Sequence, residues 1–287
     1  MYFAIDMDKD NGLEIKPNVL DYEDVIKMVP ALKGKERLVN AVFKFLSINK
    51  VNDIHSRYCN TPGAPFVRRV LEEWNVKLRI DNESVLDSMG NAPFITVSNH
   101  PFGALDGIIL IDMLASRYPN YKVMVNLILN HISAMRPNFI AVDPLVSNDP
   151  EKKAITMRGI REAMMHVKRG NPIGFFPAGA VSKIKPNLRI EDRAWQPSVI
   201  RLIQQLKVPV VPIYFHGHNS TWFNVLGVIS WQLRTLRLPT EVFRNQDRTF
   251  HISVGGPISV EELAKYPDIK DLGEMLKSRT YSMRSWK

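Results

Sequence analysis

The chain has 287 residues, with 38 Lys+Arg against 29 Asp+Glu for a formal charge of +9, and 45% of it is hydrophobic. That balance excludes a disordered chain and leaves ample length for a continuous core. The single cysteine, Cys59, excludes an intrachain disulfide, a tetrathiolate zinc site and a cysteine-pair redox centre, and it fits a reducing, cytosolic setting. Basic charge suits an anionic membrane surface, and nucleic acid is ranked last because charge is the only feature that favours it.

In chain order, Met1 to Glu14 carries Asp6, Asp8, Asp10 and Glu14, the opposite of a basic-then-apolar export signal, so none is expected. From about Tyr22 to Trp74 the pattern is helical. Leu38, Val42, Phe45 and Leu46 fall on one face, and Phe66, Val70 and Trp74 recur at i, i+4, i+8. Lys33, Lys35, Arg37, Lys44 and Lys50 flank the first of these. The segment reads either as a helix packed on the core with a solvated basic face or as a membrane-surface helix.

After about Val76, short apolar runs alternate with helical segments. The pattern predicts strands at Phe94–Ser98, Tyr121–Leu127, Phe139–Val142, Ile173–Phe176, Val208–Phe215 and Phe250–Val254. Helices are predicted at Ala104–Arg117, from Asp149-Pro150 to Gly170 with a cap, an N1 proline and a closing glycine, and at Pro197–Leu206. Two short polar helices end the chain. The longest stretch free of Asp, Glu, Lys and Arg, Val208 to Trp231, is broken by Pro209, Pro212 and His216–Thr221, so no transmembrane helix is expected. The reading is an α/β fold: a mixed, largely parallel central sheet flanked by helices, with a helical N-terminal portion. We expect residues 1–90 as that portion, 91–258 as the α/β core and 259–287 as a helical segment of the same domain.

Chemistry belongs at the carboxyl ends of such strands. Asn99-His100-Pro101-Phe102-Gly103-Ala104-Leu105-Asp106-Gly107 leaves one strand and enters a helix. There His100 can act as a general base with Asp106 fixing its tautomer; the plainer reading is a loop histidine and a capping aspartate. Phe175-Phe176-Pro177-Ala178-Gly179-Ala180-Val181-Ser182-Lys183 leaves another strand, and its amides could face a developing oxyanion. Lys183, Lys185, Arg189 and Arg193 could hold an acidic carrier or headgroup, or form a solvated face. His216-Gly217-His218 puts two imidazoles on one side of a strand, but His218 and the residues after it equally suit polar lining of a pocket, and no metal is expected. Neither a Gly-x-Ser-x-Gly elbow nor a phosphate loop is present, which disfavours covalent serine catalysis and nucleotide hydrolysis.

The ordered set Ser98–Asp106, Asn138–Asp143, Phe176–Gly179 and Val208–Ile213 resembles the glycerolipid (lysophospholipid) acyltransferase family. More closely it resembles the lyso-ornithine-lipid and lyso-glycine-lipid O-acyltransferase branch. The resemblance covers about Ala92 to Pro257. It implies His100 as general base and Asp106 as its partner, with Asn99, Gly103, Asp143, Phe176, Pro177, Gly179, Ser182, Lys183 and His216 around the substrates. It implies an acyl-acyl carrier protein or acyl-CoA co-substrate and no cofactor. It also implies a single-chain lyso-lipid acceptor and a peripheral place on the inner face of the cytoplasmic membrane.

Three departures matter. Five residues separate His100 from Asp106 where four are usual in the family; six helical steps turn about 600°, so the pair meets only if Pro101–Gly103 form a non-helical turn. Ala178 stands where phosphate-acceptor members usually carry Glu. Val181 and Pro144 stand where Arg is common, which favours an acceptor other than a glycerol phosphate, such as an N-acyl amino acid with a 3-hydroxyl. Lysophosphatidic acid remains the alternative acceptor, and a non-catalytic lipid-binding protein the alternative of another class. Trp222 to Trp231, followed by Arg234 and Arg237, reads either as an amphipathic membrane contact or as a buried helix.

Overall fold

The computed structural model describes residues 15–143 and 150–286. Its first half runs α1 (Tyr22–Met28), α2 (Glu36–Phe45), α3 (Ile48–Tyr58), α4 (Ala64–Glu73), β1 (Lys77–Asp81), α5 (Ser84–Ser88), β2 (Ile95–Ser98), α6 (Ala104–Ala115), β3 (Lys122–Asn126) and β4 (Phe139–Val142). Then come α7 (Pro150–Lys168), β5 (Ile173–Phe175), β6 (Lys183–Ile184), β7 (Ile190–Glu191), α8 (Pro197–Leu206) and β8 (Val210–Phe215). The chain closes with α9 (Thr221–Ile229), α10 (Trp231–Leu236), α11 (Leu238–Arg244), β9 (Thr249–Val254), α12 (Val260–Leu263) and α13 (Ile269–Ser282).

Seven strands form one sheet in the order β1-β9-β8-β2-β5-β3-β4. Every pairing in it is parallel except β8 with β9. Strands β8, β2, β5, β3 and β4 therefore share a direction, and the residues after each emerge at one edge, where an open α/β sheet places its site. Both faces are covered. Accordingly β2, β5 and β8 are buried along their whole length, as expected of parallel strands.

Helix α6 explains why that edge is rigid. Leu105, Ile108, Ile109, Leu110, Ile111, Met113 and Leu114 are all buried, so the helix is apolar on every side. Each such side chain stabilises the fold by about 1.5–3 kcal/mol on leaving water. Phe66, Val67, Val70 and Leu71 of α4, with Trp74, join the same core, so that part of the N-terminal portion packs on the sheet domain.

Helix α2 does otherwise. Only Val39 and Phe43 are buried, whereas Leu38, Val42 and Phe45 are 53%, 43% and 70% exposed. The apolar face read from the sequence thus points outward.

Two boundaries differ from expectation. Strand β1 lies inside the segment expected to be helical and pairs with β9 over Lys77–Asp81 and Thr249–Ser253; its charged Lys77, Arg79 and Asp81 suit an edge strand. Helix α13 is longer and less polar than expected, because Leu272, Leu276 and Thr280 are buried against the cluster that holds Ile200 and Ile203 of α8. The expected Asp149 cap and Pro144 lie outside the described residues. No helix among the described residues is long and apolar enough to cross a membrane.

Candidate active site

Strand β2 ends at Ser98, and Gly103 takes φ +78° just before α6 begins at Ala104. This left-handed step, which a glycine adopts without penalty, keeps Pro101–Gly103 out of the helix and folds the chain back on itself. As a result His100 Nδ1 lies 3.0 Å from Asp106 Oδ2. The contact is off the straight line of an aligned hydrogen bond. The same oxygen accepts the N–H groups of Phe102 at 2.9 Å and Gly103 at 3.0 Å.

Asp106 is fully buried while the His100 side chain keeps 18% exposure. Burial pushes the Asp106 carboxyl pKa up, opposed by its contact with His100 and by the two backbone donors. The Phe176 ring, just after β5, sits 4.3 Å from the imidazole centroid at a tilt of 33° and fixes its plane. What results is an imidazole with one nitrogen directed at a buried carboxylate and an accessible remainder, the arrangement of a general base.

The other expected residues divide into three groups. Asn99 donates to the Phe215 carbonyl at 2.9 Å and accepts the Phe215 N–H at 2.7 Å, so its amide joins β2 to β8 one residue before the histidine. Ser182 donates its backbone N–H to the His100 carbonyl at 2.8 Å. Pro177 is buried, with its carbonyl accepting from Gln196 N. Gly179 takes φ +61°, and a Cβ there would overlap the Gln196 side chain.

Further out, Lys183 is exposed at the start of β6. Asp143 follows β4 at the far edge of the sheet, three strands from β2, or about 14 Å at ordinary strand spacing; the fold does not bring it to His100.

His216 follows β8. Its ring stacks on His251 at 3.9 Å and 9°, and Nε2 lies 2.8 Å from Ser253 Oγ. His251 Nε2 lies 2.5 Å from Asp81 Oδ2. Asp81, His216 and His251 have ligand-type atoms within 4.8 Å of one another, close enough for one metal ion. The stacked rings, however, keep their in-plane lone pairs in parallel planes, which does not favour convergence on one ion, and both Nε2 atoms already meet oxygen partners. The geometry is a hydrogen-bonded cluster and fits a metal poorly.

Sequence reasoning missed two residues that hold the site. Asp192 is fully buried and accepts from His100 N at 3.2 Å, Ser182 Oγ at 2.6 Å and Trp195 Nε1 at 3.1 Å. In sequence it sits in Glu191-Asp192-Arg193, which reads as a solvated charge cluster; only Trp195 nearby hints at burial.

Arg234 is the second. It donates to the carbonyls of Ser182 and Val181, each at 3.1 Å, with its guanidinium 5.5 Å from the Phe223 ring centroid. Arg234 is buried, which at this residue favours the buried reading of the stretch over the membrane contact. Trp222 and Val225 of α9 are exposed.

The largely parallel sheet thus holds the His100–Asp106 pair at its carboxyl edge. A family model described as "Acyltransferase" matches residues 37–286, and the chain belongs to that acyltransferase family. Among curated proteins it is similar to a lyso-glycine lipid O-acyltransferase of Phocaeicola vulgatus, 25% identical over 92% of this chain and 95% of that one. A second lyso-glycine lipid O-acyltransferase, from Bacteroides thetaiotaomicron, is 27% identical over 86% of this chain and 89% of that one. Among solved structures, the 1-acyl-sn-glycerophosphate acyltransferase PlsC of Thermotoga maritima aligns over 78% of this chain and 79% of that one, with a TM-score of 0.46 and 15% identity.

Proposed function

We propose that this acyltransferase moves a fatty acyl group from an acyl thioester, carried on acyl carrier protein or coenzyme A, to the hydroxyl of a single-chain lyso-lipid with a glycine headgroup. The observation that carries the chemistry is the contact of His100 Nδ1 with buried Asp106. The carboxylate keeps the imidazole proton on Nδ1, so Nε2 takes the proton of the acceptor hydroxyl. The hydroxyl oxygen attacks the thioester carbonyl and forms a tetrahedral oxyanion, whose backbone donors come from the turn around Gly179 but not from Gly179 itself, since its N–H is bonded to the Phe176 carbonyl at 2.9 Å. Collapse forms the ester and breaks the carbon–sulfur bond, and the departing thiolate takes the proton back from Nε2. The step uses no enzyme nucleophile and no resident cofactor.

The glycine headgroup rests on the two relatives, each similar over most of its length. The residues at the third motif support it. Neither Ala178, which is fully buried, nor Val181 has a charged side chain to receive a glycerol phosphate, and the guanidinium groups beside them, Arg193 and Arg234, are engaged with the Ala178, Val181 and Ser182 carbonyls. Asn99, Ser182 and Gly103 then act by positioning the histidine loop.

An acceptor of this class resides in a membrane, which suits a protein working on the cytoplasmic membrane face. The exposed stripe Leu38, Val42 and Phe45 of α2 supports that reading. So does Arg237, whose guanidinium lies 5.8 Å from the Phe45 ring centroid and brings α2 beside Leu236, also exposed. Apolar side chains bordered by Arg37, Lys44 and Arg237 match an anionic bilayer surface.

The test incubates the protein with palmitoyl-acyl carrier protein or palmitoyl-CoA and a mixture of lyso-glycine lipid, lyso-ornithine lipid and lysophosphatidic acid, with products read by mass spectrometry. Diacylated glycine lipid as the main product, lost in His100→Ala, is expected. Phosphatidic acid as the main product would overturn the acceptor, and no product from any pairing would favour a lipid-binding role.

A further inference from the structure

The β6–β7 hairpin, the end of β8 and Arg284 line an open concavity. Its volume is about 530 Å³, and it is lined by Arg189, Tyr214, His216, His218 and Arg284, with Leu188 at its lip. That volume falls in the range of small-molecule sites, about 300–1,000 Å³. One wall is fastened to the Asn99 side chain and the other to the His100 backbone. On one side Phe215, adjacent to His216, is bonded to Asn99; on the other Asp192, adjacent to Glu191 of β7, accepts the His100 N–H. A group bound here is therefore held between two segments that are each bonded to the Asn99-His100 step.

The lining selects an anion. Arg284 is fixed by Glu191 Oε1 at 2.7 Å, the Ile190 carbonyl at 3.0 Å and the Tyr214 hydroxyl at 3.1 Å. The Tyr214 oxygen accepts from Arg284 Nε, which leaves its own proton to donate. Arg189 has no acidic partner among the described residues. Its charge is thus uncompensated at the pocket rim, where a guanidinium recognises a carboxylate through two parallel N–H bonds. Leu188 is 85% exposed and held at φ +60°, a costly conformation for a non-glycine residue that places an apolar contact at the pocket mouth.

We infer that this pocket binds the headgroup carboxylate of the acceptor, with Arg189 as the specificity-determining contact and Tyr214 and Arg284 as its floor. The inference rests on the glycine-lipid reading and adds the place where the acceptor is recognised. It differs from the third-motif positions, which here carry Ala178 and Val181.

Binding separates this inference from the reaction itself. The full chain is titrated with N-decanoylglycine and with its uncharged glycinamide counterpart, and the same is done for Arg189→Gln and Arg189→Lys. The expected result is that the wild type prefers the carboxylate by roughly 10- to 100-fold, the range of a charge-assisted contact. Arg189→Gln removes most of that preference, while Arg189→Lys keeps part of it. Equal binding of acid and amide by the wild type overturns the proposal, whichever lipid is acylated. So does an unchanged preference in Arg189→Gln. Carboxylate preference lost in Arg189→Gln together with phosphatidic acid as the sole product supports the carboxylate site and rejects the acceptor assignment separately.

Discussion

The backbone N–H of His100 donates to Asp192 Oδ1 across 92 positions of sequence, at 3.2 Å. The same carboxylate takes the Ser182 hydroxyl and the Trp195 indole, and Lys277 of α13 donates to the Asp192 carbonyl at 3.2 Å. His100 is therefore held by its main chain as well as by Asp106, and helix α13 takes part in that support.

Asp192→Ala leaves three buried donors without an acceptor, at about 1–3 kcal/mol each before relaxation. Its unfolding midpoint in urea is expected to fall well below that of the wild type. Asp192→Asn is the informative partner, because its amide oxygen can still serve His100 and Ser182 while its NH2 group meets the Trp195 donor. It is expected to fold with a loss of about 1–3 kcal/mol. Its kcat should fall more than its KM rises, since the loop carrying the base is loosened while the substrate pockets stay. A KM effect alone would assign Asp192 to substrate binding instead.

Asp106→Asn tests the pair directly. The amide oxygen can keep the N–H bonds of Phe102 and Gly103, so the turn at Gly103 is preserved and the thermal midpoint should shift little. The negative charge facing His100 Nδ1 is lost, however, and with it the stabilisation of the imidazolium formed during proton abstraction. A fall in kcat of about 10²-fold or more is expected in steady-state assays with a thioester donor. Near wild-type turnover would remove Asp106 from the mechanism.

The sequence reading reached the sheet and the pair through different signals. Apolar runs such as Ile173–Phe175 and Val210–Phe215 are buried on both faces, and their lack of alternation is itself the mark of a covered parallel strand. The His100–Asp106 contact was legible as a condition, a non-helical turn at Pro101–Gly103, because helical geometry alone separates the two side chains. Strand β1 carries too many charges to announce itself. Asp192 and Arg234 were illegible for a related reason: a buried charge is known by its partners, and those come from distant segments, as with Ser182 and Arg234 at 52 positions apart.

The outward face of α2 makes a prediction about location. Val42 and Phe45 are exposed, so Val42→Ser with Phe45→Ser should change folding stability by no more than about 0.5 kcal/mol per site. Binding to vesicles containing anionic lipid, measured by sedimentation, should nevertheless drop several-fold. Added salt should weaken what remains, because screening acts on Arg37, Lys44 and Arg237. Unchanged sedimentation would leave α2 as a solvated helix and place the membrane contact elsewhere.

His216 links pH to stability. Burial, then the positive charge His251 gains when protonated, pulls its pKa down from 6.5 to about 4, although Asp81 acts the other way. The unfolded chain therefore binds a proton at this site between about pH 6.5 and pH 4 where the native state does not, and stability falls as pH is lowered through that window. Water still reaches the half-buried ring and screens the interaction, which reduces the contribution to about 1–2 kcal/mol. His216→Gln has no such proton to exclude. Urea unfolding of the two proteins at pH 7 and pH 4.5 should show a smaller loss for the variant, and parallel losses would mean that other groups carry the acid sensitivity.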